Sequence, residues 1–161
     1  MITVTQPQRQ GMNAEVVILI AEDDEGHAIL IRKNLQRAKI TNTILHFKDG
    51  QEILDFLFRR TAPGRQAGTP YLLLLDIRMP KVDGVEVLRQ IKKEPALCKM
   101  PVTMLTTTDD PKEVARCHEL GCNNYITKPI DYDKFAQAVE QLGLFFSVVT
   151  IPALNGSAPH A

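Results

Sequence analysis

The sequence predicts an α/β domain in which a five-stranded parallel sheet is doubly wound, with helices on both faces. Short apolar runs alternate with longer segments of helical spacing along most of the 161 residues, and strict strand–helix alternation gives a parallel sheet covered on both sides. The run Leu72–Leu75 is apolar at every position, as a strand buried on both faces must be. Chemically active side chains then follow directly on one strand after another, at the carboxyl edge where open α/β sheets bind ligands.

Each element has its own signal. "MITVTQPQRQGMNAE" is polar and rich in glutamine, and residues 1–14 are expected to be a disordered leader. "VVILIA" (16–21) is the first strand, and Ala28, Ile31, Leu35 and Ala38 recur at helical steps after it. "TILHF" (43–47) and "DGQEILDFLFRR" form the second strand–helix pair, followed by a loop, "TAPGRQAGTP" (61–70), longer than such connections need. "YLLLL" (71–75) leads to "GVEVLRQIKKE", which Pro95 stops; "PVTMLT" (101–106) leads to "DDPKEVARCHEL", which Gly121 stops. "NNYIT" (123–127) is the last strand, and Phe135, Ala138, Leu142 and Phe145 mark a fifth helix. The domain is expected over 15–146, with 147–161 as a C-terminal extension.

Composition removes several classes of function. The formal net charge is zero, so no global field draws the chain to nucleic acid or anionic lipid. No basic helix is left over to enter a DNA groove. No apolar run approaches the roughly 18 residues that suggest a membrane span, and no secretory signal opens the chain, so a cytoplasmic protein is expected. Cys98, Cys117 and Cys122 are odd in number and lack metal-ligand spacing, which reads as reduced thiols.

The chemistry gathers where "LLLL" runs straight into Asp76. A carboxylate at the end of buried backbone must be neutralised, paired or metal-bound. Glu22, Asp23 and Asp24 end the first strand, Thr106 and Thr107 the fourth, and Lys128 follows the fifth. Neighbouring strands lie about 5 Å apart, so these groups can converge. Several carboxylates in one pocket repel unless a divalent cation joins them, and an oxygen-only set suits Mg²⁺. Flanked by such a cation and Lys128, Asp76 becomes a candidate phosphoryl acceptor, since a carboxylate can act as a nucleophile and form an aspartyl phosphate. Surrounding cations would stabilise the charge on the transferring oxygens, and the Thr106 hydroxyl can donate to one of them.

"ILIAEDDE", "LLLLDIRMPKVDGVEVL", "VTMLTTT" and "NNYITKP" resemble, in order, the motifs of response-regulator receiver domains of two-component signalling. The resemblance covers roughly residues 15 to 146. It implies a flavodoxin-like fold, Asp76 as phosphoacceptor, Glu22 and Asp23 as the acidic pair with Asp23 the direct metal ligand, and the Arg78 carbonyl as a further ligand. It makes Thr106 the switch hydroxyl, Tyr125 the aromatic switch and Lys128 the phosphoryl-pairing lysine, and it implies a cis Lys128–Pro129 bond. The "EDDEGHA" opening, the long loop before the third strand and the tail "FFSVVTIP" (145–152) are similar to single-domain regulators paired with phytochrome-type photoreceptor kinases. That similarity implies a histidine kinase as partner and a homodimer formed through the C-terminal extension. Two residues depart from the usual pattern: Thr107 stands where a smaller side chain is common, and Arg78 sets a long cation at the site entrance, where it is expected to tune the lifetime of the aspartyl phosphate.

Plainer readings compete at each position. Asp24 suits a helix N-cap, and Asp23 alone could serve as one. Tyr125 also fits ordinary sheet packing, Thr106 fits a β-branched strand residue, and Lys128 by itself would be a solvated lysine. His27 reads as a surface histidine at a helix start, and His46, His118 and His160 show no ligand spacing. Phe145 and Phe146 could finish the core, but adjacent aromatics cannot both face inward on one helix, which favours an interface. Three functions remain: a stand-alone regulator phosphorylated on Asp76 or a relay intermediate, a Mg²⁺-dependent phosphatase, and a phosphorylation-independent interaction module. The phosphatase chemistry of haloacid-dehalogenase-like enzymes wants a second Asp where Arg78 stands. An interaction module usually lacks one of the acidic, acceptor or lysine positions, all of which are present.

Overall fold

The computed structural model describes residues 16–37, 39–107, 109–128 and Asp133. Its elements alternate without exception: β1 (Val17–Ala21), α1 (Glu25–Arg37), β2 (Ile44–Phe47), α2 (Gly50–Leu57), β3 (Tyr71–Leu75), α3 (Gly84–Lys93), β4 (Val102–Thr106), α4 (Pro111–Leu120) and β5 (Asn124–Thr127). The strands form one sheet in the order β2-β1-β3-β4-β5, and every pairing is parallel. The expected fifth helix, Pro129, the leader and the 147–161 extension lie outside the described residues.

The sheet divides the core by residue parity. Ile18, Ile20, Leu72 and Leu74 pack with Ile31 and Leu35 of α1. Leu19, Ala21, Leu73 and Leu75 pack with Ile53 and Leu57 of α2, Val87 and Ile91 of α3, and Cys117 of α4. Right-handed crossovers require this separation: the chain steps one way from β1 to β2 and the other way from β2 onward, so α1 is left on the face opposite α2, α3 and α4. The four consecutive leucines of β3 feed both halves, and each fully buried leucine contributes roughly 1.5–3 kcal/mol.

Local chemistry fixes the helix ends. Asp49 and Asp83 accept from the backbone N–H groups of Glu52 at 2.8 Å and Glu86 at 2.9 Å, which caps α2 and α3. Pro111 opens α4, and Gly121 closes it in the left-handed conformation at φ 102°. Two further glycines allow backbones to touch. A Cβ on Gly50 would lie 1.9 Å from the Val82 carbonyl oxygen, and one on Gly84 would lie 2.1 Å from that of Asp76. Gly84 is therefore tied to the site, because α3 starts against the peptide that carries Asp76.

The loop before β3 folds back on the domain instead of projecting from it. Arg65 is buried there, its Nε donating to the Leu57 carbonyl at 2.8 Å, and the Gln66 N–H donates to the Tyr71 hydroxyl at 2.7 Å. Lys92 of α3 is held similarly, its ammonium donating to the carbonyls of Cys98 at 3.1 Å and Met100 at 3.0 Å.

All three cysteines are free thiols. Burial pushes Cys117 up to about 11 and also raises Cys122, so Cys117 carries about a hundredfold less thiolate near neutral pH than an ordinary thiol. Iodoacetamide labelling followed by peptide mapping should therefore modify Cys98 first and Cys117 only after unfolding. Labelling of all three at similar rates in the folded protein would contradict the packing described.

Candidate functional site

The carboxyl ends of β1, β3 and β5 bring one cation and three carboxylates together. Sheet order returns past β1 after β2 is laid down, so β1 and β3 flank the point where the winding reverses. The N–H of Asp76 donates to the Ala21 carbonyl at 3.0 Å, and the N–H of Glu22 to that of Phe47 at 3.0 Å. These two bonds hold the acidic residues of neighbouring strands at the same height. Glu22, Asp23 and Asp76 each offer a carboxylate oxygen within 4.8 Å of the others; Glu22 and Asp76 are buried and Asp23 is exposed.

Lys128 arrives from the far side. Its N–H donates to the Thr106 carbonyl at 2.5 Å, fixing the end of β5 to the end of β4. Its side chain is only 3% exposed and its ammonium is paired with Glu22 and, at 3.4 Å, with Asp76 Oδ2. The other Asp76 oxygen accepts from the Arg78 N–H at 3.3 Å. Both oxygens of the candidate nucleophile are thus held, one by backbone and one by the lysine, and the Arg78 side chain extends to solvent.

Burial dominates Glu22 and pushes its carboxyl up to about 7, against the pull of Lys128 and with the repulsion of Asp76. The folded protein therefore holds this proton between about pH 4.5 and 7 where the unfolded chain releases it, and stability falls as pH rises through that window. Urea unfolding in EDTA should show a loss of stability from pH 5 to pH 7.5 that is smaller in Glu22→Gln. An equal loss in the two proteins would contradict this assignment.

Glu22, Asp23, Asp76 and Lys128 converge as expected. Thr106 is buried at the end of β4, beside β3, while Thr107 is exposed. Tyr125 is half-buried, pairs with Met104 across the sheet and packs on the face covered by α2, α3 and α4; burial pushes its hydroxyl up to about 12. Asp24 caps α1, accepting from the His27 N–H at 2.9 Å. Phe145, Phe146 and the Lys128–Pro129 bond lie outside the described residues.

Two histidines reach the site although neither has a role there in the sequence reading. His46, on the edge strand, places Nε2 2.6 Å from the Glu22 carbonyl. His27 is partly exposed at the start of α1, as a surface histidine would be, yet its Nδ1 lies 3.2 Å from Lys128 Nζ and 3.7 Å from Glu22 Oε1. His46 is brought there by the register that sets it opposite Ile20, which the sequence does not display; the one sequence signal for His27 is its place about one helical turn beyond the acidic residues.

The oxygen-only donor set on neighbouring strands fits a hard divalent cation, and the buried lysine beside one carboxylate fits an anion delivered to that carboxylate. Residues 18–140 match the response regulator receiver domain. The chain is 37% identical over 126 residues to the probable methanogenesis regulatory protein FilR2 of Methanothrix harundinacea, covering 78% of this chain and 80% of that protein. It is 48% identical to a response regulator receiver domain from Rhodospirillum rubrum, with a TM-score of 0.82 over 87% of this chain and 99% of the other. It is 31% identical to the phosphorylated cyanobacterial phytochrome response regulator RcpA, with a TM-score of 0.78 over 85% of this chain and 98% of the other. No helix among the described residues is long and apolar enough to cross a membrane. With the fold, the ordered motifs and the family match in agreement, the chain belongs to the response regulator receiver domains.

Proposed function

We propose that the protein accepts a phosphoryl group on Asp76 from the phosphohistidine of a histidine kinase and signals through the surface change that follows. The observation that carries this reading is the buried Lys128 ammonium 3.4 Å from Asp76 Oδ2, beside the Glu22–Asp23–Asp76 cluster. An Asp76 oxygen attacks phosphorus; the new O–P bond forms as the P–N bond of the donor breaks, and the imidazole nitrogen leaves with the electron pair. Lys128 stands where a phosphoryl oxygen can pair with it, and Thr106 supplies a hydroxyl to another. Glu22, Asp23, Asp76 and the Arg78 carbonyl would hold Mg²⁺, which when bound supplies charge neutralisation for the carboxylates and the transferring oxygens. Hydrolysis reverses the state: water attacks phosphorus and Asp76 leaves as the free carboxylate.

Thr106 and Tyr125 carry the change outward. They lie on adjacent strands whose ends are joined by the Lys128–Thr106 hydrogen bond, so a pull on the Thr106 hydroxyl acts on the face that bears Tyr125. A two-state element biased by an added charge is sufficient for such a switch. The named resemblance to a phytochrome regulator supports a phytochrome-type sensor kinase as donor. Phe145, Phe146 and the 147–161 extension are proposed to form a homodimer, for which sedimentation is the check.

Intact-protein mass spectrometry after incubation with acetyl phosphate tests the reading. Wild type should gain one phosphoryl group in Mg²⁺ and little in EDTA, and Asp76→Asn should gain none. A gain independent of Mg²⁺, or one retained by Asp76→Asn, would contradict it. In the same assay Arg78→Ala is expected to change the rate at which the phosphoryl group is lost, and an unchanged rate would remove the tuning role of Arg78.

A further inference from the structure

His27 is built into the site by contacts that a surface histidine does not need. Its backbone N–H donates to Asp24 Oδ1 at 2.9 Å, which fixes the first turn of α1, and its ring reaches back to Lys128, with Nδ1 3.2 Å from Nζ. An ammonium only donates, so Nδ1 is the acceptor and the ring proton sits on Nε2. Lysine has three N–H donors, and three acceptors meet them: a Glu22 oxygen, Asp76 Oδ2 at 3.4 Å and His27 Nδ1 at 3.2 Å.

Those acceptors have different fates in the reaction. Glu22 belongs to the carboxylate group that converges within 4.8 Å and would help to hold a divalent cation there. Asp76 gives an oxygen to phosphorus. His27 is not one of those carboxylates, and its Nδ1 lies nearer to the Lys128 ammonium, at 3.2 Å, than to Glu22 Oε1, at 3.7 Å. We propose that His27 is a positioning residue for phosphoryl transfer: its Nδ1 keeps the Lys128 ammonium aimed at Asp76 while both carboxylates are otherwise engaged. This rests on Asp76 being the phosphoryl acceptor.

The test compares wild type, His27→Leu and His27→Asn with acetyl phosphate and saturating Mg²⁺, alone and in a Lys128→Ala background over long incubations. Asparagine carries Oδ1 where histidine carries Nδ1. His27→Leu should lower the maximal phosphorylation rate about tenfold, the worth of one hydrogen bond to a charged group, with half-saturating donor concentration unchanged. His27→Asn should recover most of the rate, and in Lys128→Ala the leucine substitution should add nothing. An unchanged rate in His27→Leu, or the same loss with Lys128 absent, would overturn the proposal. A second readout needs no phosphorylation: the ¹H–¹⁵N signal of the Lys128 ammonium in donor-free protein. It should persist in wild type and His27→Asn and broaden in His27→Leu; persistence in all three would also overturn the proposal. If wild type takes up no phosphoryl group, the function assigned to Asp76 fails, and the ammonium signal still decides whether His27 holds Lys128.

Discussion

Lys128→Ala should destabilise the protein in EDTA at pH 8 by about 3–5 kcal/mol, the usual cost of removing one partner from a buried ion pair. The cost arises because Glu22 and Asp76, both buried, then face each other without their cation. Two further results follow. At pH 5.5 the cost should be smaller, because Glu22, already pushed up to about 7 by burial, takes up a proton and discharges the pocket. Mg²⁺ should also stabilise Lys128→Ala more than wild type, since the divalent cation replaces the missing charge and no ammonium opposes its entry. Urea unfolding with and without Mg²⁺ reads all three. A variant as stable as wild type in EDTA at pH 8 would mean that the lysine does not compensate these carboxylates.

Gly84→Ala should be the most damaging single-methyl change next to the site. The added Cβ would sit 2.1 Å from the Asp76 carbonyl oxygen and 2.8 Å from the Ile77 Cα. Neither atom can rotate away, and the Gly84 N–H is itself bonded to the Ile77 carbonyl at 2.7 Å, so α3 or the end of β3 must move. Overpacking of this kind costs about 1–3 kcal/mol, occasionally more, and here the displaced peptide carries Asp76. Gly50→Ala is the informative comparison, because its Cβ would meet the Val82 carbonyl at 1.9 Å instead. Both variants should lose stability, but Gly84→Ala should lose more phosphoryl acceptance at matched fraction folded. Equal acceptance in the two would show that the start of α3 does not position Asp76.

Much of this architecture was legible in the sequence because burial on two faces leaves a distinctive trace. "YLLLL" had to be an inner strand, and its alternate leucines do serve two different cores. The stops read at Pro95 and Gly121 had stereochemical reasons and agree with α3 ending at Lys93 and α4 at Leu120, whereas the caps Asp49 and Asp83 emerged only with the structure. The acidic cluster was legible for a related reason: carboxylates that directly follow central strands converge once the strand order is known. Contacts set by register were not. His46 reaches the Glu22 carbonyl because Ile20 pairs with His46 across β1 and β2, and nothing in "TILHF" alone announces that partner. His27 reaches Lys128 across 101 residues of sequence. Arg65 misleads in the opposite direction, since an arginine in a polar loop predicts exposure and the fold buries it against the Leu57 carbonyl.

The central claim is that the carboxylate of Asp76, held between the Arg78 N–H and the Lys128 ammonium, is the group that accepts phosphorus. Borohydride reduction of the phosphorylated protein converts an aspartyl phosphate to homoserine, and tandem mass spectrometry then locates it. The account predicts homoserine at position 76 and at no other acidic residue. Homoserine at Asp23 or elsewhere, or a phosphoryl group that survives borohydride because it sits on a histidine, would contradict it.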